Sequence, residues 1–250
     1  MKTLNNYIKY IKDAYITEGI FKNIGAEVVT VNTRDELNRL IKKTIEKEGP
    51  NCDLNFIDVS KITDMSYLFA KSDFNGDISG WDVSNVRNMI RMFSNSIFSG
   101  DISGWNVSKV KNMSCMFDHS KFDGDISKWN VSKVEDMSWM FAYSKFNRDI
   151  SKWNVSNVKN MNSMFSNSIF NGDISGWDVS NVKSMNGMFY DSQFNGDISG
   201  WDVFKVDDMR YMFARSEFTG DISKWNISNM TNVSGMFYGG KFEKLDKSPK

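Results

Sequence analysis

Phe98-Ser99-Gly100-Asp101-Ile102-Ser103-Gly104-Trp105-Asn106-Val107-Ser108 recurs, with small changes, every 24 residues from Phe74 almost to the end of this 250-residue chain. Aligning the copies puts Trp81, Trp105, Trp129, Trp153, Trp177, Trp201 and Trp225 in one column, and Ile78, Ile102, Ile126, Ile150, Ile174, Ile198 and Ile222 in another. A fixed period of 20–50 residues marks a solenoid or array. Such a chain grows by stacking units and not by enlarging one core.

Each unit carries eight large apolar residues. In one copy they are Phe98, Ile102, Trp105, Val107, Val110, Met113, Met116 and Phe117. The last four fall at i, i+3, i+6 and i+7, the spacing of one helix face. Ser108 stands where an N-cap would stand. The Asp-Ile-Ser segment after the glycine reads as a strand of about three residues with the isoleucine inward. The expected fold is therefore an α/β solenoid of 24-residue repeats, with short parallel strands on the concave face and short helices on the convex face. The bend follows from strands stacking ~4.8 Å apart while helices need ~10 Å.

Ahead of the array the pattern changes. Leu4, Tyr7, Ile8, Ile11 and Tyr15 give residues 1–19 an amphipathic, helical spacing, expected to be a docking helix or a detachable tag. Residues 20–51 read as an α/β N-terminal cap. It has a strand over Ala26–Val31, a capping box from Thr33 to Glu36, and a helix with Leu37, Leu40, Ile41 and Ile45 on one face, stopped at Gly49-Pro50. The solenoid proper spans 52–242, an atypical first coil followed by seven full repeats. In that first coil Leu54, Ile57 and Leu68 replace the usual Ile, Trp and Met. A polar tail, 243–250, closes the chain, and the last coil offers an edge for self-association.

Charge is balanced, 31 basic residues against 31 acidic, so nothing points to nucleic acid. No segment approaches the ~18 apolar residues of a membrane span, and no signal peptide is visible. This favours a cytoplasmic or virion-packaged protein over a surface one, without membrane insertion. Cys52 and Cys115 fall in different repeats, where a disulfide is geometrically disfavoured.

The columns lack a repeated nucleophile–base pair, so no enzyme is expected, no catalytic residue is assigned, and a hydrolase or other enzyme is a distant alternative. The only histidine, His119, lies in a variable column. The aspartates Asp77, Asp101, Asp125, Asp149, Asp173, Asp197 and Asp221 would stack like charges ~5 Å apart, at about 1 kcal/mol per pair in water. Local acceptance of backbone N–H groups explains them better than a row of cations, because no second acidic column completes an oxygen shell. No metal and no cofactor is expected. Positions identical in all copies belong to packing, so recognition should use varying ones. Arg91, Trp139, Tyr143, Tyr190 and Tyr211 are expected on the helix side, and Lys128 and Lys152 on the strand side. Cys115 shares the column of Arg91 and reads as a surface thiol. Phe204 replaces a capping serine and is expected either to lose that cap or to add an exposed apolar contact.

The run Asn-Gly-Asp-Ile-Ser-Gly-Trp-Asp-Val-Ser-Asn-Val, followed by the Met and Met-Phe positions, resembles the BspA-like leucine-rich repeat family over roughly residues 52–242. That resemblance implies an α/β leucine-rich-repeat solenoid, an adhesion or interaction role without catalysis, and a protein or glycan partner. It also implies a kinship with bacterial surface proteins and mycoplasma repeats, although export signals are not visible. The N-terminus resembles a second group. Met1-Lys2-Thr3-Leu4-Asn5-Asn6-Tyr7-Ile8 is similar to the capsid-targeting tags of internal head proteins of T-even-like phages. Ile16, Glu18 and Gly19 match their prohead-protease signal, which implies packaging followed by cleavage after Glu18.

Overall fold

The computed structural model describes residues 28–227 and 231–242. The amphipathic stretch 1–19, with Ile16, Glu18 and Gly19, lies outside the described residues, as does the tail 243–250.

The N-terminal segment folds as its sequence dictates. Strand β1 (Val29–Thr30) pairs in parallel with β2 (Ile57–Asp58) of the first coil, Val29 opposite Ile57. Helix α1 (Arg34–Glu48) starts at Thr33, whose side chain accepts the Glu36 N–H at 3.2 Å. The Glu36 carboxylate reaches back to the Asn32 N–H at 2.8 Å, one residue beyond the usual capping-box partner. Gly49, at φ 88°, ends the helix and returns its N–H to the Ile45 carbonyl. Leu37, Leu40, Ile41 and Thr44 are buried, and the three apolar ones join one core with Met65 and Phe69 of the first coil.

From there the chain is a repeat protein whose units bond one to the next in register. All eight apolar columns point inward: Phe98, Val110, Met113, Met116 and Phe117 are fully buried, and Ile102, Trp105 and Val107 nearly so. Each such side chain is worth roughly 1.5–3 kcal/mol on burial. Aromatic rings stack from unit to unit. Phe93 lies 5.7 Å from Phe117, Phe98 6.4 Å from Phe122, and Trp81 6.4 Å from Trp105, with planes within 5° of parallel.

The backbone between those side chains departs from the expectation. The segment Val110–Phe117 is not a helix but a chain of overlapping turns. Met116 within it, and Asp118 and Ser120 just beyond it, donate their N–H groups to the carbonyls three residues earlier. The alternate residues Met113, Cys115, Phe117 and His119 donate to Asp136, Ser138, Met140 and Ala142 of the next unit, at 2.8–3.0 Å. A helix would keep every N–H for its own i−4 carbonyl; here half of them hold the stack together. Nor is there a strand at Asp-Ile-Ser. Only Asp53 and Asp77 form a β-bridge there, and the continuous bridge column runs instead through Asp64, Asn88, Asn112, Asp136, Asn160, Ser184, Asp208 and Asn232. Asp turns bend the chain too soon for a strand to continue. With no convex helices, the strand–helix spacing mismatch that predicted a bend loses its cause.

Candidate recognition surface

Two columns of left-handed residues shape the turn face. Tyr67, Arg91, Cys115, Trp139, Ser163, Gly187, Tyr211 and Gly235 form the first, and Lys71, Asn95, His119, Tyr143, Asn167, Asp191, Arg215 and Gly239 the second, all at φ between 52° and 65°. The left-handed geometry reverses the chain after each turn, so an i, i+3, i+7 apolar spacing is met without a helix. It costs a non-glycine residue about 1–2 kcal/mol, which the ladder of inter-unit hydrogen bonds offsets. The second column carries the signal that would have revealed this. Asn, Asp, His and Gly occupy most of it, and these types tolerate the left-handed region.

The residues expected to recognise a partner lie largely on these columns. Trp139 is 40% exposed and Tyr211 47%. Tyr143 is exposed as well and stacks on the His119 ring, centroids 4.2 Å apart. Tyr190 and Arg91 are half-buried, and the Arg215 guanidinium lies 6.0 Å from the Tyr190 ring centroid. Lys128 and Lys152 are exposed, but beside the aspartate column, where their charges act on Asp125 and Asp149. The expected set therefore falls on two surfaces. Side chains of the first column lean toward the next unit: a Cβ at Gly235 would meet Tyr211 Cε1 at 2.5 Å, and one at Gly187 would meet Ser163 Oγ at 3.2 Å. In the sequence, the large Arg91, Trp139 and Tyr211 are each followed by the small Cys115, Ser163 and Gly235.

Cys115 is not a surface thiol. It is 8% exposed, and burial pushes its thiol pKa up. Both cysteines are free. His119 Nδ1 lies 2.7 Å from Asp118 Oδ1, and Ser94 Oγ is 3.4 Å from the other carboxylate oxygen. Asp118, buried beneath the histidine, was not among the residues singled out by sequence. Ser94 touches the carboxylate and not the imidazole, so the three groups do not make the nucleophile–base–carboxylate order of a hydrolytic triad.

The aspartate column has a local explanation. In all seven repeats the Asp Oδ1 accepts the N–H of the serine two residues on, from Ser79 on Asp77 to Ser223 on Asp221, at 2.8–2.9 Å. Those bonds hold the carboxyls of Asp77, Asp101, Asp125, Asp149, Asp173 and Asp197 below their ordinary pKa. Among the described residues no group of three or more His, Cys, Asp or Glu side chains is arranged to hold a metal. A second series of the same turns runs through Asp82, Asn106, Asn130, Asn154, Asp178 and Asp202. Thus Ser108 caps no helix: its own N–H is held by Asn106 at 3.2 Å. Phe204 loses nothing by replacing serine, because Asp202 takes its N–H in the same way.

At the C-terminal unit the ladder stops. Val233, Gly235 and Phe237 stand where Met209, Tyr211 and Phe213 donate to a following unit, and their N–H groups have no partner among the described residues. Val233 is 43% exposed in a column that is otherwise fully buried. This part of the edge offers donors only, so two copies meeting through it would set donor against donor. The opposite end is closed by α1, where the Arg34 guanidinium bonds the Ser66 carbonyl. Among the described residues no helix is long and apolar enough to cross a membrane.

No curated protein and no solved structure matches the chain. Residues 37–148 and 136–248 each match the family described as "Mycoplasma protein of unknown function, DUF285", which is associated with BspA-like repeat proteins. Those two matches cover well over half of the sequence, and the chain belongs to this family.

Proposed function

We propose that this protein is a non-enzymatic interaction scaffold: a BspA-like solenoid, with residues 20–51 as its cap and 52–242 as its array, that binds a protein or glycan partner in a recognition or adhesion role. The observation that carries this reading is the division of labour between columns. The repeated large apolar residues face inward and pack unit to unit, the repeated aspartates close local turns, and the residues that vary stand on a backbone shaped by two left-handed turns per unit. Trp139, Tyr143 and Tyr211 are then pre-ordered anchors, which lowers the entropy lost on binding.

The test is a pull-down from lysate and from isolated envelope of the source cells, comparing the wild type with Trp139→Ala/Tyr211→Ala. A partner retained by the wild type and lost by a folded double variant supports recognition on the turn face. A partner held equally by both moves recognition elsewhere on the array, and no partner in either fraction overturns the reading.

A further inference from the structure

A cavity of about 550 Å³ opens over the last three units, lined by Gln193, Asn195, Glu217, Thr219 and Lys241. Two columns flank it, on either side of the buried Phe194 and Phe218. One wall rises a unit at a time: Gln193, Glu217 and Lys241 donate their N–H groups to Ser168, Ser192 and Ser216 of the preceding unit. The other is an amide ladder, in which Asn171 Oδ1 accepts from the Asn195 N–H and Asn195 Oδ1 from the Thr219 N–H, both at 2.8 Å.

The lining excludes most ligand classes. Among the described residues it has no aromatic or aliphatic side chain to hold an apolar molecule. Its two charges, the Lys241 ammonium and the Glu217 carboxylate, are paired with each other, so no net charge selects an ion. What is left is hydrogen-bonding capacity of both kinds: the Gln193 amide, the Asn195 NH₂ donors, the remaining lone pairs of Glu217, and the lone pairs of the Thr219 hydroxyl, whose proton goes to Asn195 Oδ1 at 3.2 Å. The exposed Ile169 ends the polar wall on the N-terminal side, leaving three polar positions in consecutive units. Beneath the trench the equivalent rings of Phe194, Phe218 and Phe242 repeat at 6.0–6.3 Å from unit to unit, the scale of one sugar ring per unit.

We propose that this trench binds a neutral, hydroxyl-rich glycan chain lying along the stacking axis, one pyranose ring per unit and three rings in all. The inference deepens the binding reading above and rests on it, but it places the ligand on a different surface from Trp139 and Tyr211.

The experiment is a calorimetric or NMR titration of the full chain with two series, β-1,4-linked glucose and β-1,4-linked N-acetylglucosamine oligomers of one to five residues, at up to about 10 mM, above a weak Kd of about 1 mM. Affinity should rise to the trisaccharide and then level off. Gln193→Leu, an exposed and volume-conserving change, should weaken binding about threefold to tenfold per lost hydrogen bond, while Trp139→Ala leaves it unchanged. Silence of both series overturns the trench, as does binding indifferent to Gln193→Leu, or affinity still growing beyond three residues. Glycan binding that Trp139→Ala abolishes overturns the trench but keeps the turn-face reading. Absence of both glycan binding and a pull-down partner overturns both.

Discussion

The indole N–H of Trp153 donates to the main-chain carbonyl of Ile126, one unit earlier, at 3.1 Å. The same bond recurs from Trp81 to Trp225, each indole reaching the Leu or Ile carbonyl of the preceding unit at 3.0–3.2 Å. It explains the tryptophan column, since only tryptophan combines that bulk with a donor at that reach, while the isoleucine column is kept by its buried side chain, any residue there supplying the same carbonyl. The exception has the same cause. Ile57 stands in the tryptophan column of the first coil, which has no preceding repeat to bond, and pairs with β1 instead.

Trp153→Phe should therefore lower stability by about 1–3 kcal/mol, combining a lost hydrogen bond of about 0.5–1.5 kcal/mol with the void left by the smaller ring. Equilibrium denaturation with an unchanged m-value is the check. A loss below about 0.3 kcal/mol would remove the indole from the forces joining the units.

The aspartate turns predict a split between two substitutions. Asp125→Asn keeps an Oδ1 for the Ser127 N–H and should leave the denaturation midpoint at pH 7 nearly unchanged, whereas Asp125→Ala removes the acceptor and should lower it. The pH dependence follows from the depressed pKa values. A carboxyl whose folded pKa lies below its unfolded one stabilises the fold above the unfolded value, and that contribution is lost as pH falls through the folded value. Asp208 shows this most strongly. The side-chain hydrogen bond from Arg210, Nη2 to Oδ2 at 2.7 Å, brings it from 3.8 to about 2. Its contribution should be intact above pH ~4 and disappear toward pH ~2, and Arg210→Gln should shift the acid-unfolding midpoint upward. Arg210 is exposed, so solvent screening keeps the contribution of the pair, and the shift in midpoint, small. An acid midpoint unmoved by Arg210→Gln would contradict this assignment.

Left-handed strain should be removable where no side-chain contact depends on it. Lys71 sits at φ 57° and is exposed. Lys71→Gly should raise stability by about 0.5–1 kcal/mol, the relief of about 1–2 kcal/mol less the added freedom of glycine in the unfolded chain. Gly235 should behave in the opposite sense. Gly235→Ala adds a Cβ that collides with Tyr211 at a backbone angle of 64°. It should destabilise, and Tyr211→Ala should recover part of the loss in a double-mutant cycle.

The ladder end is visible to hydrogen exchange. The amides of Met209, Tyr211 and Phe213 donate to Asn232, Ser234 and Met236 and should be protected. Those of Val233, Gly235 and Phe237, one unit later, should exchange orders of magnitude faster. Equal protection in the two rows would mean that the terminal donors are covered in solution.

By itself the sequence determined the period, the inward columns and the start and stop of α1. Those properties are set within a repeat or within a few residues, by side-chain volume, hydropathy and capping chemistry. Phe98, Ile102, Trp105, Met113 and Phe117 had to be buried whatever backbone carried them. What carried them was decided by tertiary structure. Met113, Cys115, Phe117 and His119 find their acceptors 23 residues away, in a unit that local spacing does not contain. Once that partner is present, turns with left-handed corners use the backbone groups better than a short isolated helix, which is marginal by itself. The same stacking buried Cys115, set Asp118 beneath His119 and opened the polar trench at Gln193 and Glu217. All of these are relations between neighbouring units, and they exist only when the units are stacked.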